Sequence, residues 1–323
     1  MEDTAKISRW KVFAAFAVIY LVWGSTFLAI RVGVREVPPF LLAGMRFVLA
    51  GVVLYGWMRM KGTPSPTLRE WGAASALAVP IFVLDYGLVF WSERRVPSGV
   101  TALMMATIPV FMTLSEIVSM KTQRLTARLV LALSIGILGV GVLVSHNASF
   151  GDAPIDAVGA AALMVASVSW SIGSAVTRKL PLPANKAMSS GAQMLVGGVM
   201  LTSIALLSGE FRGFRMLEVS AGAWMALVYL IFAGSILAFT AYVWLIHHES
   251  PTKVGTYAYV NPVVAVILGY FFLKEEVGLR TICGTVLVLV SVVVITTARS
   301  QRDLHDEAAL EVSTEDPVPS TEN

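Results

Sequence analysis

The sequence predicts an all-α integral membrane protein whose ten transmembrane helices form two inverted five-helix repeats around a central cavity. Composition gives the first reason. Of 323 residues, 56% are hydrophobic and only 14% are charged, whereas about a quarter of the residues of a soluble domain are charged. The second reason is a series of apolar segments long enough to span a bilayer. The third is that features of the first half recur in the second.

Ten segments qualify as membrane spans, since a helix needs about 20 apolar residues to cross the hydrocarbon core. They lie at residues 12–31, 39–58, 71–91, 98–118, 127–146, 157–177, 186–207, 222–246, 252–273 and 279–298. The connections between them are short and contain helix breakers such as Pro38-Pro39 and Pro181. No soluble domain fits between the predicted spans.

The two halves of the chain resemble each other at matching positions. Four residues recur 147 positions later: Trp23, Arg31, Gly44 and Gly51 correspond to Trp170, Arg178, Gly191 and Gly198. Because each half has an odd number of spans, the second must lie upside down relative to the first, which is the usual construction of secondary transporters. We therefore expect one repeat at residues 12–146 and another at residues 157–298.

The distribution of Lys and Arg predicts the orientation of the chain. Fifteen basic residues lie on the side that holds both termini, and eight lie on the other side. Cytoplasmic loops carry the excess of basic residues, so both termini are predicted to be cytoplasmic in a bacterial-type plasma membrane. The N-terminal segment is residues 1–11. Residues 299–323, with seven acidic and two basic side chains, are predicted to form a disordered acidic tail.

Several short motifs resemble the EamA-type branch of the drug/metabolite transporter superfamily. They are Trp23-Gly24-Ser25-Thr26-Phe27, Gly44-Met45-Arg46-Phe47, Trp91-Ser92-Glu93, Val96-Pro97-Ser98-Gly99, Asn261-Pro262 and Leu273-Lys274-Glu275. The resemblance covers residues 12–298 and implies ten helices in two inverted repeats, a central cavity, and export of small metabolites such as amino acids. The chain departs from the family at Thr122, which matches Glu275 of the second repeat, and at Asp85, where relatives often carry a neutral polar residue.

Arg46 and Asp85 are ionisable residues inside predicted spans, where charge is costly and usually functional. At a rise of about 1.5 Å per residue, both lie about 9 Å below the outer ends of their helices. They are consistent with an ion pair or water-bridged contact at the outer mouth of the cavity, with snorkelling and solvation, or with direct substrate contact. Asp85 is the acid placed for proton coupling.

Aromatic and hydroxyl side chains near the middle of several spans are candidates to line the cavity. An aromatic face beside hydroxyl groups suits a small amphipathic molecule, although the same residues also serve helix packing. Together with the carboxyl group of Asp85 and the amide of Asn261, the candidates are Trp23, Thr26, Tyr86, Trp170, Ser174 and Tyr257. Pro109 and Pro262 occupy equivalent mid-span positions and predict kinks, either for gating or as static bends.

These features favour a secondary transporter that exports small metabolites such as amino acids. Efflux of drug-like compounds, or uptake of another metabolite, is the alternative within the same fold. An enzyme acting on lipid substrates is a distant alternative, because no cluster of Asp, His or metal ligands is evident. No phosphate-cradling loop is present. The expected partners are a small-molecule substrate, the lipid bilayer and a coupling proton, with no cofactor, metal, catalytic residue or nucleic acid.

Overall fold

A computed structural model describes residues 9–112, 127–144, 155–177, 179–249, 254, 256–291 and 293–294. Thr122 and the predicted acidic tail lie outside these ranges. Within them the chain forms helices and loops, without a strand. The helices are α1 (Arg9–Val34), α2 (Pro39–Met60), α3 (Leu68–Ser92), α4 (Ser98–Met112), α5 (Ala127–Val144), α6 (Ala157–Thr177), α7 (Lys186–Leu207), α8 (residues 221–248), α9 (Tyr257–Leu273) and α10 (Leu279–Ser291).

Six stretches of the described chain are both long enough and apolar enough to cross a membrane. They are α1, α2, α3, α6, α7 and Ala221–Tyr242 of α8. The other helices are apolar but shorter in the described residues. This composition makes the protein an all-helical, multi-span membrane protein, as the sequence predicts.

Several helices begin at residues that satisfy their free backbone N–H groups. Thr67 and Glu70 form a capping box at the start of α3. The side chain of Asn185 accepts a hydrogen bond from Met188 N at the start of α7, and Ser220 accepts one from Ala223 N at the start of α8. α2 begins with Pro39, which needs no partner for a backbone N–H. These residues determine where the helices begin, which the length of an apolar segment alone does not.

Helices α2 and α7 pack against each other through glycines. A Cβ atom added to Gly44 would contact Thr202, and one added to Gly51 would contact Leu195. Advancing seven residues along α2 thus moves the contact seven residues back along α7, so the two helices run antiparallel. On α7, Gly198 lies equally close to the backbone of α2 at Val48. Small residues allow this close approach of helices in a bilayer.

Helices α1 and α6 each pack against helices from the other half of the chain. α1 contacts α8 and α9, whereas α6 contacts α3 and α4. The core formed around these contacts includes Ile30, Phe47, Phe90, Leu163 and Ile231. The first helix of each predicted repeat therefore packs against helices of the other repeat, which brings residues from both halves to the middle of the molecule.

Three glutamates in loops on the predicted outer side cap helices of the opposite half. Glu210 accepts hydrogen bonds from Leu41 N at 2.8 Å and Phe40 N at 3.4 Å, at the start of α2. Glu36 accepts bonds of 2.6 Å from both the backbone N–H and the hydroxyl of Ser220, at the start of α8. These bonds lower the pKa of Glu36, whereas burial raises the pKa of Glu210.

The third capping carboxylate is Glu275, between α9 and α10. It accepts hydrogen bonds from Ser98 N at 2.8 Å, from Ser98 Oγ at 2.9 Å and from Gly99 N at 3.1 Å. A negative charge at a helix N-terminus also interacts favourably with the helix dipole. The two motifs that contain Ser98 and Glu275 are distant in the sequence, and this contact joins them by capping the start of α4.

Glu275→Gln is expected to lower the stability of the protein by about 1–2 kcal/mol, because an amide replaces a carboxylate that accepts several bonds at a helix start. Glu276→Gln is the matched control, since Glu276 is the exposed neighbour and its change is expected to stay within about 0.5 kcal/mol. The measurement is thermal unfolding of the purified protein in detergent. Equal unfolding midpoints for the two variants would contradict the capping role.

Candidate functional site: a charged, aromatic-walled cavity

A cavity of about 110 Å³ lies among α1, α2, α3, α4, α6 and α9. Most of the side chains singled out in the sequence border it: Trp23, Thr26, Arg46, Asp85, Tyr86, Pro109, Trp170, Tyr257, Asn261 and Pro262. Ser174 is half-buried on α6 and is not among the bordering residues. A wider hollow of about 390 Å³ lies between surface loops around Glu210 and Arg215, and it contains none of these side chains.

A π-helical segment of α3, Val79–Tyr86, carries Asp85 and Tyr86. Its wider turn is seen in the hydrogen bond from Gly87 N to Phe82 O, which spans five residues. Pro80 lies at the start of the segment and lacks a backbone N–H, so the regular α-helical pattern is already interrupted there. Such π-helical bulges occur frequently at functional sites.

A second π-helical segment, Leu230–Leu237 of α8, faces the same region. Its Gly234 carbonyl accepts a hydrogen bond from Trp23 Nε1 at 3.2 Å. Its Ser235 hydroxyl accepts one from Arg46 Nε at 2.9 Å and donates one to Leu230 O at 2.9 Å. This segment therefore orients two of the side chains that border the cavity.

Arg46 on α2 is buried, with only 2% of it exposed, and several contacts hold its side chain in place. Its Nε is bonded to Ser235, and its guanidinium carbon lies 4.7 Å from the ring centre of Phe47 and 5.2 Å from that of Tyr86. Cation–π contacts of this kind stabilise a buried cation. Arg46 Nη1, however, has no hydrogen-bond acceptor.

Asp85 on α3 is 3% exposed, and its Oδ1 has no hydrogen-bond partner. In the part of the chain that the structure describes, ion pairs form between Arg95 and Asp156 at 3.4 Å and between Arg215 and Glu218 at 2.7 Å, and not between Arg46 and Asp85. The direct ion pair considered from the sequence is thus absent here, because Arg46 is drawn towards Ser235 and its aromatic neighbours. Both charged residues border the cavity instead.

Aromatic rings form two walls of the cavity. Trp23 meets Tyr257 edge-on with ring centres 5.2 Å apart. Trp170 meets Tyr86 edge-on at 5.9 Å, and Tyr86 also contacts Phe47 at 4.7 Å. Edge-to-face pairs at these separations are favourable and hold rings in defined orientations. The two repeat-related tryptophans therefore lie in separate clusters that border the same space.

Helix α4 is interrupted beside the cavity. Its first segment is Ser98–Met105, which ends three residues before Ile108. The residue after Ile108 is Pro109, which has no backbone N–H to donate. Two serines of α6 reach backbone carbonyls of this segment: Ser167 Oγ donates to Met104 O at 3.4 Å, and Ser171 Oγ lies 3.2 Å from Ile108 O. These two serines of α6 therefore pack against the backbone of α4 beside the interruption.

Two further candidates hold the backbone of α1. Thr26 Oγ1 donates to Trp23 O at 2.6 Å. In the orientation that satisfies its amide, Asn261 donates to Tyr20 O at 3.1 Å and to Tyr257 O at 3.3 Å. Pro262 lies inside α9 without ending it. Thr26 therefore bonds within its own helix, whereas Asn261 joins α9 to α1, and both border the cavity.

Gly234 and Ser235 are part of the site but escape sequence reasoning. They lie in an apolar run of α8, where a Gly-Ser pair indicates only close packing. The π-helical geometry that turns the Gly234 carbonyl and the Ser235 hydroxyl towards Trp23 and Arg46 has no simple sequence signal.

Comparisons with known proteins match the whole helical region. The model of the EamA-like transporter family matches twice, at residues 9–145 and 157–297. The uncharacterized inner membrane transporter YedA of Escherichia coli (strain K12) is 34% identical over 260 residues, which is 80% of this chain and 81% of YedA. A crystal structure with 20% sequence identity superposes with a TM-score of 0.58, covering 91% of this chain and 99% of the other.

Two more distant relatives carry more specific or different names. A probable amino-acid metabolite efflux pump of Salmonella typhimurium (strain LT2) is 24% identical over 289 residues, covering 88% of this chain and 93% of the relative. Protein PecM of Dickeya dadantii (strain 3937) is 26% identical over 276 residues, covering 85% and 88%. The family match spans nearly all of the helices described above. The chain therefore belongs to the EamA-like transporter family, whose members are membrane transporters rather than enzymes.

Proposed function

We propose that this protein is a secondary transporter that exports small metabolites such as amino acids, by alternating access at the central cavity. The observation that carries the proposal is that Arg46 and Asp85, both buried, border one cavity and each leave a polar atom without a partner. Charged groups at membrane depth are costly and mark substrate or ion pathways. The name of the Salmonella relative supports export of amino-acid metabolites.

The proposed architecture is ten transmembrane helices in two inverted repeats, at residues 12–146 and 157–298. The antiparallel register of α2 and α7 supports it, because Gly44 and Gly51 of one helix are the repeat equivalents of Gly191 and Gly198 of the other. The family model also matches twice. A π-helical segment in both α3 and α8, the third helices of the two repeats, further supports an internal two-fold relation.

In this proposal the cytoplasmic side carries both termini, and the outer side is closed in the described conformation. Support for the closure comes from Glu36, Glu210 and Glu275, each of which caps a helix of the opposite half. Opening at that end would separate these carboxylates from their N–H donors. Pro109 and Pro262 are the proposed bending points, since each removes a backbone hydrogen bond near the cavity.

The proton is the proposed coupling ion, and Asp85 is the proposed proton carrier. A carboxyl group couples transport to a pH gradient when its proton affinity differs between the two access states. Asp85 suits this role because it is enclosed and its Oδ1 has no protein partner that would fix its charge.

Asp85→Asn is expected to abolish the response of transport to an imposed pH gradient while counterflow at saturating substrate continues, because an amide cannot titrate. The measurement is uptake of labelled amino acids into proteoliposomes with and without the gradient. Asp156→Asn is the control, since Asp156 lies in an outer loop paired with Arg95. A full gradient response in Asp85→Asn would exclude this residue as the proton carrier, and no uptake of any solute by the wild type would contradict transport itself.

A further inference from the structure

We propose that the cavity binds a zwitterion without net charge, with Arg46 binding its carboxylate and Asp85 binding its ammonium group. The proposal rests on the proposed transport through this cavity and names the substrate class and the role of each charged residue. It separates small dipolar metabolites from drug-like cations and from organic anions, all of which the fold alone would accommodate.

The first step is that each charged residue lacks a protein counterion. Arg46 Nε donates a hydrogen bond to the neutral hydroxyl of Ser235, and Arg46 Nη1 has no acceptor. Asp85 Oδ1 has no donor, and no ion pair joins the two residues in the described chain. Removing an unpaired charge from water is costly, so both sites gain most from a ligand that supplies the missing opposite charge.

The second step is that the two charges have opposite sign and border the same cavity. A cation would pair with Asp85 but would bring a like charge towards Arg46. An anion would pair with Arg46 and bring a like charge towards Asp85. While Asp85 is ionised, a single ligand satisfies both residues only if it carries both signs, and repulsion of the singly charged competitors supplies specificity.

The third step is that the cavity is small and has aromatic walls. The guanidinium carbon of Arg46 lies 5.2 Å from the ring centre of Tyr86, and Arg46, Asp85 and Tyr86 all border the cavity. Trp23, Trp170 and Tyr257 provide apolar contact surface for the remainder of the ligand. A cavity of about 110 Å³ is below the about 300–1,000 Å³ of drug-sized sites, which favours a compact ligand.

The test is equilibrium binding of labelled L-alanine, L-valine, L-leucine and L-phenylalanine to the purified full chain in detergent. For valine, competition uses valinamide, which keeps the ammonium group, and 3-methylbutanoate, which keeps the carboxylate. For the wild type, each analogue is expected to bind at least about 10-fold more weakly than valine, since each loses a charge-assisted contact.

Two variants assign the two contacts. Arg46→Gln is expected to weaken valine binding at least about 10-fold while valinamide binds as tightly as before or more tightly, because valinamide has no carboxylate to lose and the like charge of Arg46 is gone. Asp85→Asn is expected to weaken valine binding while 3-methylbutanoate binds as tightly as before or more tightly, because the like charge of Asp85 is gone. A general loss of structure would weaken all three ligands together, so the crossed pattern distinguishes recognition from folding.

Three results would overturn the proposal. They are the absence of binding of every zwitterion in the panel, an equal loss of all three ligands in each variant, and analogue binding as tight as that of valine. Proteoliposomes that accumulate a lipophilic cation or a sugar but no zwitterion would leave transport standing and reject this substrate class. Proteoliposomes that accumulate no solute would reject the proposed function as well.

Discussion

Arg46→Met is expected to lower transport about 10- to 100-fold while leaving the protein at least as stable as the wild type. The transport loss follows from removing a charged hydrogen-bond donor, worth about 1.5–3 kcal/mol when it binds a ligand. Stability is preserved because Arg46 is buried with Nη1 unpaired, and a buried charge without a counterion is costly. Methionine fills similar space and adapts to its neighbours.

The loss of the Ser235 contact does not reverse this expectation, because Ser235 still donates to Leu230 O. The measurements are uptake into proteoliposomes below saturation and thermal unfolding in detergent. Arg95→Met is the control: Arg95 is half-exposed in the loop between α3 and α4, and both quantities are expected to change little. If Arg46→Met instead lowered stability by several kcal/mol, Arg46 would be a structural residue and its assignment to substrate binding would fail.

Gly198→Ala is expected to prevent most of the protein from folding. The added Cβ would lie 2.4 Å from Val48 N and 2.8 Å from Phe47 C, and backbone atoms cannot rotate away as a side chain can. Helices α2 and α7 would have to separate along their shared contact. Overpacking of this kind costs about 1–3 kcal/mol or more, and here it falls on the contact proposed to relate the two repeats.

Gly56→Ala is the matched control for this prediction. Gly56 lies on α2, and a Cβ added there would have no atom within 4 Å. Alanine also favours a helix over glycine by about 1 kcal/mol, so this variant should be as stable as the wild type or more so. The measurement is the yield of monodisperse protein after extraction, followed by thermal unfolding. Equal yields for the two variants would contradict the close packing of α2 and α7.

The positions of the helices could be predicted because apolar length and helix breakers are local properties. α6 begins and ends at the predicted residues 157 and 177, and α7 at 186 and 207. Periodicity along one chain does not say which neighbour a face meets. Ser174 was therefore predicted to line the cavity although it is not among the residues that border it, and Ser167 donates to the backbone of α4.

The charged residues of the site illustrate the same limit. Depth along a helix follows from residue number, and Arg46 and Asp85 do border one cavity. Whether they touch depends on the rotation of each helix about its axis, which the π-helical segments of α3 and α8 alter. The contact between Arg46 and Ser235 depends on that distortion, so no pattern in the sequence predicts it.

The most direct test of transport through this cavity is counterflow in proteoliposomes with a cavity-filling variant. Ala102 borders the cavity, whereas Ala161 is exposed on the surface of α6. Trans-stimulated uptake of a zwitterionic amino acid is expected for the wild type and for Ala161→Phe, and none is expected for Ala102→Phe, because its ring would occupy the cavity. Uptake by Ala102→Phe equal to that of the wild type, or wild-type uptake no greater than that of empty liposomes, would contradict the account.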